Sequence, residues 1–202
     1  SLEYAHERQQ GRRLNSKDLP EPPTSIINHP DVRRMLFLQK ALSEGILALV
    51  MQCNKYADQE SISEEKDREG YRDLVELLTP VAKTYGAEMG AVSVNNGLQV
   101  LGGYGYTEDF ILEQLARDVR ILSLYEGTSG IQSLTLLGRQ VPAHNKRSVE
   151  RWVAEVNGVI KEAEAHKDLS RYSGWLNAEV EAVERTTNHL LSLKHGNPEL
   201  IL

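Results

Sequence analysis

The stretch that decides how this chain is interpreted is Tyr125-Glu126-Gly127-Thr128-Ser129-Gly130-Ile131-Gln132. It places a carboxylate between a tyrosine and a glycine, directly before a predicted helix start. Thr128 and Ser129 can each cap that helix through a hydroxyl group. Apolar residues then recur at helical spacing, at Ile131, Leu134, Leu137 and Val141. Glu126 is therefore expected at a helix N-terminus, where the helix dipole favours a negative charge.

Two interpretations of Glu126 follow from this local pattern alone. Acidic residues are common at helix N-termini for electrostatic reasons, so Glu126 can simply be a solvated residue that stabilises the helix start. Alternatively, Glu126 belongs to a binding site, because Gly127 has no side chain and lets another molecule approach the backbone. The spacing of this one stretch leaves both interpretations open.

A glycine-dense segment precedes this stretch, Gln99-Val-Leu-Gly-Gly-Tyr-Gly-Tyr-Thr-Glu-Asp109. Its glycines permit close approach of the backbone to a ligand or to another chain. The same composition is typical of a tight turn between two helices, since glycine commonly ends a helix. A short amphipathic helix is predicted next, with Leu112, Leu115, Val119 and Leu122 on its apolar side.

Taken in series, three segments resemble the C-terminal domain of the FAD-dependent acyl-CoA dehydrogenase family. They are Gln99-Val-Leu-Gly-Gly-Tyr-Gly-Tyr-Thr107, Leu115-Ala-Arg-Asp-Val-Arg-Ile121 and Tyr125-Glu-Gly-Thr-Ser-Gly-Ile-Gln132. Their order, spacing and residue types match, and the resemblance covers about residues 1–141. Residues 142–202 resemble part of the C-terminal extension of a larger subgroup, which includes enzymes that act on long-chain or methylmercaptopropionyl thioesters.

The helical periodicity predicts an all-α fold, an up-and-down bundle followed by two extra helices. The bundle contains a helix tail over residues 2–13, a long helix over 29–57 and a second one that ends near Val100. Pro80 lies inside the second pattern, so it should kink that helix or start a new one after Thr79. The extra helices are expected over 148–165 and 176–193, joined by a turn near Ser173-Gly174. We place the domain boundary between residues 141 and 142.

The resemblance implies a role for each candidate site residue. Glu126 would be the base that removes the C2 proton of an acyl-CoA thioester while hydride passes from C3 to FAD. Its backbone N–H would help to bind the developing enolate oxygen, and Tyr125 and Gly127 would contact the substrate. The FAD-binding residues implied in this way are Arg8, Gln99, Gly102, Gly103, Thr128 and Gln132. Of these, Gln99, Gly102 and Gly103 would contact the adenosine side of the FAD in a neighbouring subunit.

Some of these roles compete with simpler ones. Arg8 is implied to bind the FAD pyrophosphate, since a guanidinium matches phosphate oxygens in a bidentate way, but it can equally be an arginine that faces water at a helix end. Thr128 can be only a helix cap, and Gln132 only a polar residue of an early helix turn. A different function, a non-catalytic helical module for homo-oligomer formation, also agrees with the apolar helix faces.

Composition bounds the partners. A net charge of −6 disfavours a broad nucleic-acid surface, and the six scattered histidines suggest no metal site. The single cysteine, Cys53, suits a reducing compartment, so we expect a cytoplasmic location, with a mitochondrial one as the alternative. No run approaches the apolar length of a membrane span.

The resemblance implies electron-transfer flavoprotein as the acceptor. We expect a fragment of a longer protein that is inactive and does not retain FAD by itself.

Overall fold

The computed structural model describes residues 1–13 and 22–194, and within these ranges the chain is helical and contains no strand. An isolated antiparallel bridge joins Gln9 to Ser25. The prediction of an all-α protein is therefore confirmed. The α-helices of the described part are α1 (Leu2–Glu7), α2 (Pro30–Ile62), α3 (Glu65–Leu101), α4 (Leu112–Ile121), α5 (Ser129–Ser133), α6 (Arg147–Glu164) and α7 (Ser170–Lys194).

Short non-α segments connect several of these helices. Three are 3₁₀ turns, at Ile26–Asn28, Gly102–Tyr106 and Ala143–Lys146. The fourth is a π-helical segment, Leu134–Gln140, which directly continues α5. The backbone N–H of Val141 donates to the carbonyl of Leu136, five residues earlier, at 2.8 Å. The helix after Glu126 is therefore irregular from its second turn. Such π-type bonding is rare and often accompanies functional sites.

The first of two compact units contains residues 1–50 and 84–126. Here α2 and α3 run antiparallel and close together, because glycines of α3 face side chains of α2. A Cβ at Gly97 would lie 3.4 Å from the side chain of Gln39, and one at Gly86 would lie 3.7 Å from Ile46. The core of this unit consists of Ala5, Ile26, Met35, Val100 and Leu101.

The second unit contains residues 51–83 and 127–202. Its core is built on Leu74, which is fully buried and packs with the buried side chains of Tyr56 and Leu78. Trp152 of α6 packs against this core. The Arg147 guanidinium of α6 donates to both carboxylate oxygens of Asp73 on α3, at 2.6 and 3.1 Å. Helix α6 is therefore fixed to the N-terminal part of α3 by apolar packing and by an ion pair.

Several predicted boundaries were wrong. Helix α1 ends at Glu7 instead of continuing to residue 13, because Arg8 adopts an extended conformation and bonds to the 24–26 segment. Helix α2 continues to Ile62. Helix α7 begins at Ser170, so no turn occurs at Ser173-Gly174; Ser173 is buried and its hydroxyl donates to the carbonyl of Ser170 at 2.8 Å.

Pro80 lies inside α3, which continues past it without a new start. Of the two alternatives for Pro80, a new helix capped by Thr79 was therefore wrong, and a kink at Pro80 stays a prediction. Pro80 is buried, and the Thr79 hydroxyl donates to the carbonyl of Val75 at 2.6 Å inside the helix. Packing around this turn outweighs the hydrogen bond that proline removes. Residues 14–21, and residues 195–202 of the predicted C-terminal extension, lie outside the described part.

Helix α2 is long and apolar enough to cross a membrane by length and composition, with a window of mean hydropathy 1.3. The statement that no run approaches this length was therefore too strong. A single helix that passes such a test is weak evidence, since apolar helices that pack against other protein segments pass it too. It does not show that the chain spans a membrane.

Candidate functional site

The backbone at Glu126-Gly127 takes an unusual course. Glu126 has a φ of 52° and Gly127 a φ of 90°, so two successive residues lie in the left-handed region. A non-glycine residue there is uncommon and carries strain unless neighbouring interactions hold it. Such strained positions cluster at functional sites. The side chain of Glu126 is exposed, so its carboxylate can meet another molecule.

Hydrogen bonds fix the chain on the N-terminal side of this turn. The backbone N–H groups of Leu124 and Tyr125 both donate to the carbonyl of Ile121, at 2.9 and 3.1 Å. These bonds tie the turn to the last turn of α4. The side chain of Tyr125 remains 47% exposed, which leaves its ring available to a ligand.

Other bonds fix the C-terminal side. Thr128 is the N-cap of α5, and its hydroxyl accepts from the N–H of Ile131 at 3.4 Å, so the predicted cap is confirmed. The N–H of Gln132 donates to the carbonyl of Thr128 at 2.9 Å. Lys83 of α3 reaches the same turn, since its ammonium donates to the carbonyl of Gly127 at 2.5 Å.

The conformation of Gly127 favours glycine, and side chains of α5 lie close to its backbone. A Cβ at this position would lie 2.9 Å from the amide nitrogen of Gln132 and 3.3 Å from a methyl carbon of Ile131. Gln132 therefore packs over the turn, next to the backbone of Gly127. Gly127, Thr128 and Gln132 therefore lie close together, directly after Glu126 in the chain.

A second group of predicted residues lines a cleft of about 400 Å³ in the first unit. Arg8, Gln99 and Gly102 lie on its walls. Gly103 is exposed beside Gly102 but does not line the cleft. The remaining lining residues are Tyr4, Gln10, Gly11, Ile26, His29, Asp31, Val32, Val100 and Leu101.

Arg8 reaches this cleft because the chain leaves α1 in an extended conformation. The N–H of Ile26 donates to the carbonyl of Arg8, and the N–H of Gln10 donates to the carbonyl of Thr24, both at 2.9 Å. The guanidinium of Arg8 lies 6.0 Å from the centre of the Tyr104 ring. Its position is thus set by backbone pairing and by an aromatic neighbour from the glycine-dense turn.

The donors and open space of this cleft fit a phosphate-containing cofactor. Arg8 supplies an exposed guanidinium, which forms bidentate hydrogen bonds with phosphate oxygens. A Cβ at Gly102 or Gly103 would meet no atom within 4 Å, so the glycine turn is open to a ligand. His29 also lines the cleft, with its Nε2 atom 2.7 Å from the carbonyl oxygen of Gln10.

Sequence reasoning missed two residues near these sites. His29 was treated only as a helix start, and Lys83 was not singled out. Lys83 lies 44 residues before its partner, so no local pattern could reveal it. The roles assigned to the predicted site residues stay predictions. Within the described residues, no cluster of His, Cys, Asp or Glu could hold a metal ion.

An apolar groove of the first unit lies elsewhere. It measures about 480 Å³ and is lined by Leu2, Ile27, Leu36 and Phe37, with Arg33 and Lys40 also on its walls. None of the predicted site residues line it. We therefore place the candidate site at the Glu126 turn and at the Arg8 cleft, where the chemistry-bearing residues are.

This combination of an all-α fold, a glycine-dense turn beside an arginine cleft and a strained glutamate at a helix start agrees with one class of flavoenzyme domain. The model of the acyl-CoA dehydrogenase C-terminal domain matches residues 1–141. The chain therefore belongs to the acyl-CoA dehydrogenase family, as the resemblance indicated.

Individual relatives agree with this assignment. The chain is 37% identical to a butyryl-CoA dehydrogenase of Syntrophomonas wolfei over 161 residues, 79% of this chain and 26% of that protein. It is 37% identical to the 3-methylmercaptopropionyl-CoA dehydrogenase of Ruegeria pomeroyi over 152 residues, 75% of this chain and 26% of that protein. It is 36% identical to the broad-specificity linear acyl-CoA dehydrogenase FadE5 of Mycobacterium tuberculosis over 165 residues, 80% of this chain and 26% of that protein. The chain thus spans about a quarter of these relatives.

A solved structure supports the fold. The chain matches "Bd2924 apo-form" with a TM-score of 0.63 and 20% identity, over 93% of this chain and 37% of that one. At this identity the match supports the fold alone. The similarity to the Syntrophomonas wolfei protein covers 161 residues, more than the 141 of the family model, so it continues into the segment after residue 141.

Proposed function

We propose that this chain is the C-terminal domain of an FAD-dependent enzyme that dehydrogenates acyl-CoA thioesters between C2 and C3. Family membership over residues 1–141 supports the class of reaction. The observation that carries the mechanism is the geometry of Glu126, an exposed carboxylate on a left-handed turn whose flanks are both hydrogen-bonded. Such a constraint suits a base that must approach one particular C–H bond.

In this mechanism Glu126 takes the proton from C2, next to the thioester carbonyl. A positioned general base contributes roughly 10²- to 10⁴-fold to such a proton transfer. The backbone N–H of Glu126 is a suitable donor to the oxygen on which negative charge develops. Tyr125, which is exposed, and the backbone of Gly127 would contact the substrate beside the carboxylate. When bound, FAD would supply the acceptor for the hydride that leaves C3.

The cofactor role belongs to the second group of residues. Arg8 would pair with pyrophosphate oxygens. Gln99 and Gly102, on the walls of the same cleft, would contact the adenosine side of the FAD of a neighbouring subunit. Gly103 would contribute open backbone beside them, and Thr128 and Gln132 would contact the flavin or adenine end. Electron-transfer flavoprotein remains the proposed acceptor, and a cytoplasmic location remains the proposed compartment.

The base is tested by neutralising it in the complete flavoenzyme that contains this domain. We expect Glu126→Gln to slow acyl-CoA-dependent bleaching of the flavin absorbance by roughly 10²- to 10⁴-fold under anaerobic mixing. Glu162→Gln, which removes an exposed carboxylate on α6, should bleach at the unaltered rate. An undiminished rate in Glu126→Gln would refute the proposed base.

The chain by itself should be inactive and should bind FAD weakly. The basis is its length, about a quarter of the relatives, since the remaining segments of such proteins can supply much of a cofactor site. Flavin absorbance of the purified 202-residue chain tests this. A stoichiometric yellow protein would contradict it.

A second function is favoured by one specific observation, the exposed apolar face of α2. Phe37 is 70% exposed, Leu47 61% and Met51 60%. Large exposed apolar surfaces of this kind mark association sites, and a homo-oligomer would cover them. Sedimentation velocity of the chain and of Leu47→Glu tests this. Association that weakens in the variant supports the module, and a monomeric chain at all concentrations contradicts it.

A further inference from the structure

Lys83 makes a contact that the proposed reaction has not yet used. Its side chain is half-buried, and its ammonium donates to the carbonyl oxygen of Gly127 at 2.5 Å. Hydrogen bonds from a charged donor are shorter and roughly twice as strong as neutral ones. This bond therefore ties the residue directly after Glu126 to helix α3.

The donor comes from a rigid part of the molecule. Leu74 and Leu78, which precede Lys83 on α3, are core residues, and Pro80 between them and Lys83 is buried. The ammonium is thus presented from a helix whose position is set by the core of the second unit. A side chain held in this way can define the position of its partner carbonyl.

The Gly127 carbonyl, which accepts this bond, belongs to the most conformationally variable part of the turn. Glu126 and Gly127 have positive φ values of 52° and 90°, and glycine populates many other conformations readily. Tyr125 is fixed on one side by its bond to Ile121 and Thr128 on the other by its cap to Ile131. The bond from Lys83 to Gly127 acts between these two anchors, at the peptide that follows the base.

We propose that Lys83 is a positioning residue for the base, which holds the Glu126-Gly127 turn so that the carboxylate meets C2 of the substrate. This inference rests on the proposed function of Glu126. A displacement of about 1 Å in a reacting group can lower a rate by roughly 10²-fold. Loss of the bond should therefore affect the chemical step more than substrate binding.

The test uses the complete flavoenzyme and three variants. Lys83→Met keeps the apolar stem and removes the donor, and Lys83→Arg keeps a charged donor. Lys55→Met removes an exposed lysine of α2 and serves as the control. We expect Lys83→Met to slow flavin bleaching roughly 10- to 100-fold, with binding of a non-oxidisable thioether acyl-CoA analogue within about twofold of the parent. Lys83→Arg should recover most of the rate.

A readout without turnover completes the design. Backbone amide exchange of residues 125–128 should be faster in Lys83→Met and close to the parent in Lys83→Arg and Lys55→Met. Equal bleaching rates in Lys83→Met and the parent, or failure of Lys83→Arg to restore the rate, would overturn the inference. If Lys83→Met does not fold, Lys83→Gln, which lacks the charge, takes its place with the same expectations.

Glu126→Gln in the same series separates the two proposals. If it bleaches at the parent rate, the proposed base is wrong. If it is slow while Lys83→Met and Lys83→Gln are as fast as the parent, the base is supported and the positioning role of Lys83 is wrong.

Discussion

Replacing Gly127 by alanine tests whether the turn after Glu126 has one required conformation. The φ of Gly127 is +90°, a region that costs an L-residue about 1–2 kcal/mol. The added methyl would lie 2.9 Å from Nε2 of Gln132 and 3.3 Å from a methyl of Ile131. The Gln132 contact is the far end of a flexible side chain, so it adds little. We therefore expect a loss of about 1–3 kcal/mol of unfolding free energy.

The measurement is urea unfolding of the chain followed by circular dichroism, with Gly130→Ala as the matched control. Gly130 lies inside α5, and its Cβ would approach only the hydroxyl of Thr128, at 3.9 Å. Alanine is favoured over glycine in a helix by about 0.5–1 kcal/mol, so the control should be neutral or slightly stabilised. In the complete flavoenzyme, Gly127→Ala should also slow flavin bleaching, because the peptide that Lys83 holds must move. If Gly127→Ala matches the parent in both stability and bleaching rate, the turn is not constrained in the way that we describe.

Four further outcomes are expected. Leu74→Ala should cost about 2–5 kcal/mol of unfolding free energy in urea, because Leu74 is fully buried. Arg147→Met should accelerate trypsin cleavage within α6, since Asp73 loses its bidentate partner. Arg8→Met in the complete enzyme should lower FAD retention after gel filtration, and Arg8→Lys should restore it only in part, because lysine lacks the bidentate fork. Burial raises the pKa of the Cys53 thiol above its usual 9.0, so less thiolate is present at pH 8 than in the unfolded chain, and alkylation by iodoacetamide should accelerate when urea unfolds the protein.

Helix existence was predictable because an apolar stripe repeats every three or four residues. Met35 and Leu42, seven residues apart on α2, are both buried, as helical periodicity requires. The helix ends were less predictable, since they depend on partners that lie far away in the sequence. After α1 ends, the N–H of Ile26 donates to the carbonyl of Arg8, and the N–H of Gln10 donates to the carbonyl of Thr24. No pattern within residues 2–13 predicts these partners.

The candidate site also has features that the sequence predicts and features that it does not. The cap at Thr128 is a local interaction over three residues, so the sequence pattern predicted it. The left-handed conformation of Glu126 was not predictable, because glutamate rarely adopts it without tertiary support. The π-type segment that begins at Leu134 was also unforeseen, since its apolar residues fit an ordinary α-helical stripe equally well.

The features that distinguish this turn from an ordinary helix start are ones that the sequence did not predict. A glutamate before a glycine and a helix cap is, by itself, compatible with a solvated helix start. Two features separate the present turn from that simpler case: the positive φ of Glu126 and the ammonium of Lys83, which comes from 44 residues away to hold the next carbonyl. A solvated cap needs neither of them, because water would satisfy that carbonyl at no conformational cost. Strain that is maintained by a distant charged donor therefore favours a positioned base over an ordinary helix cap.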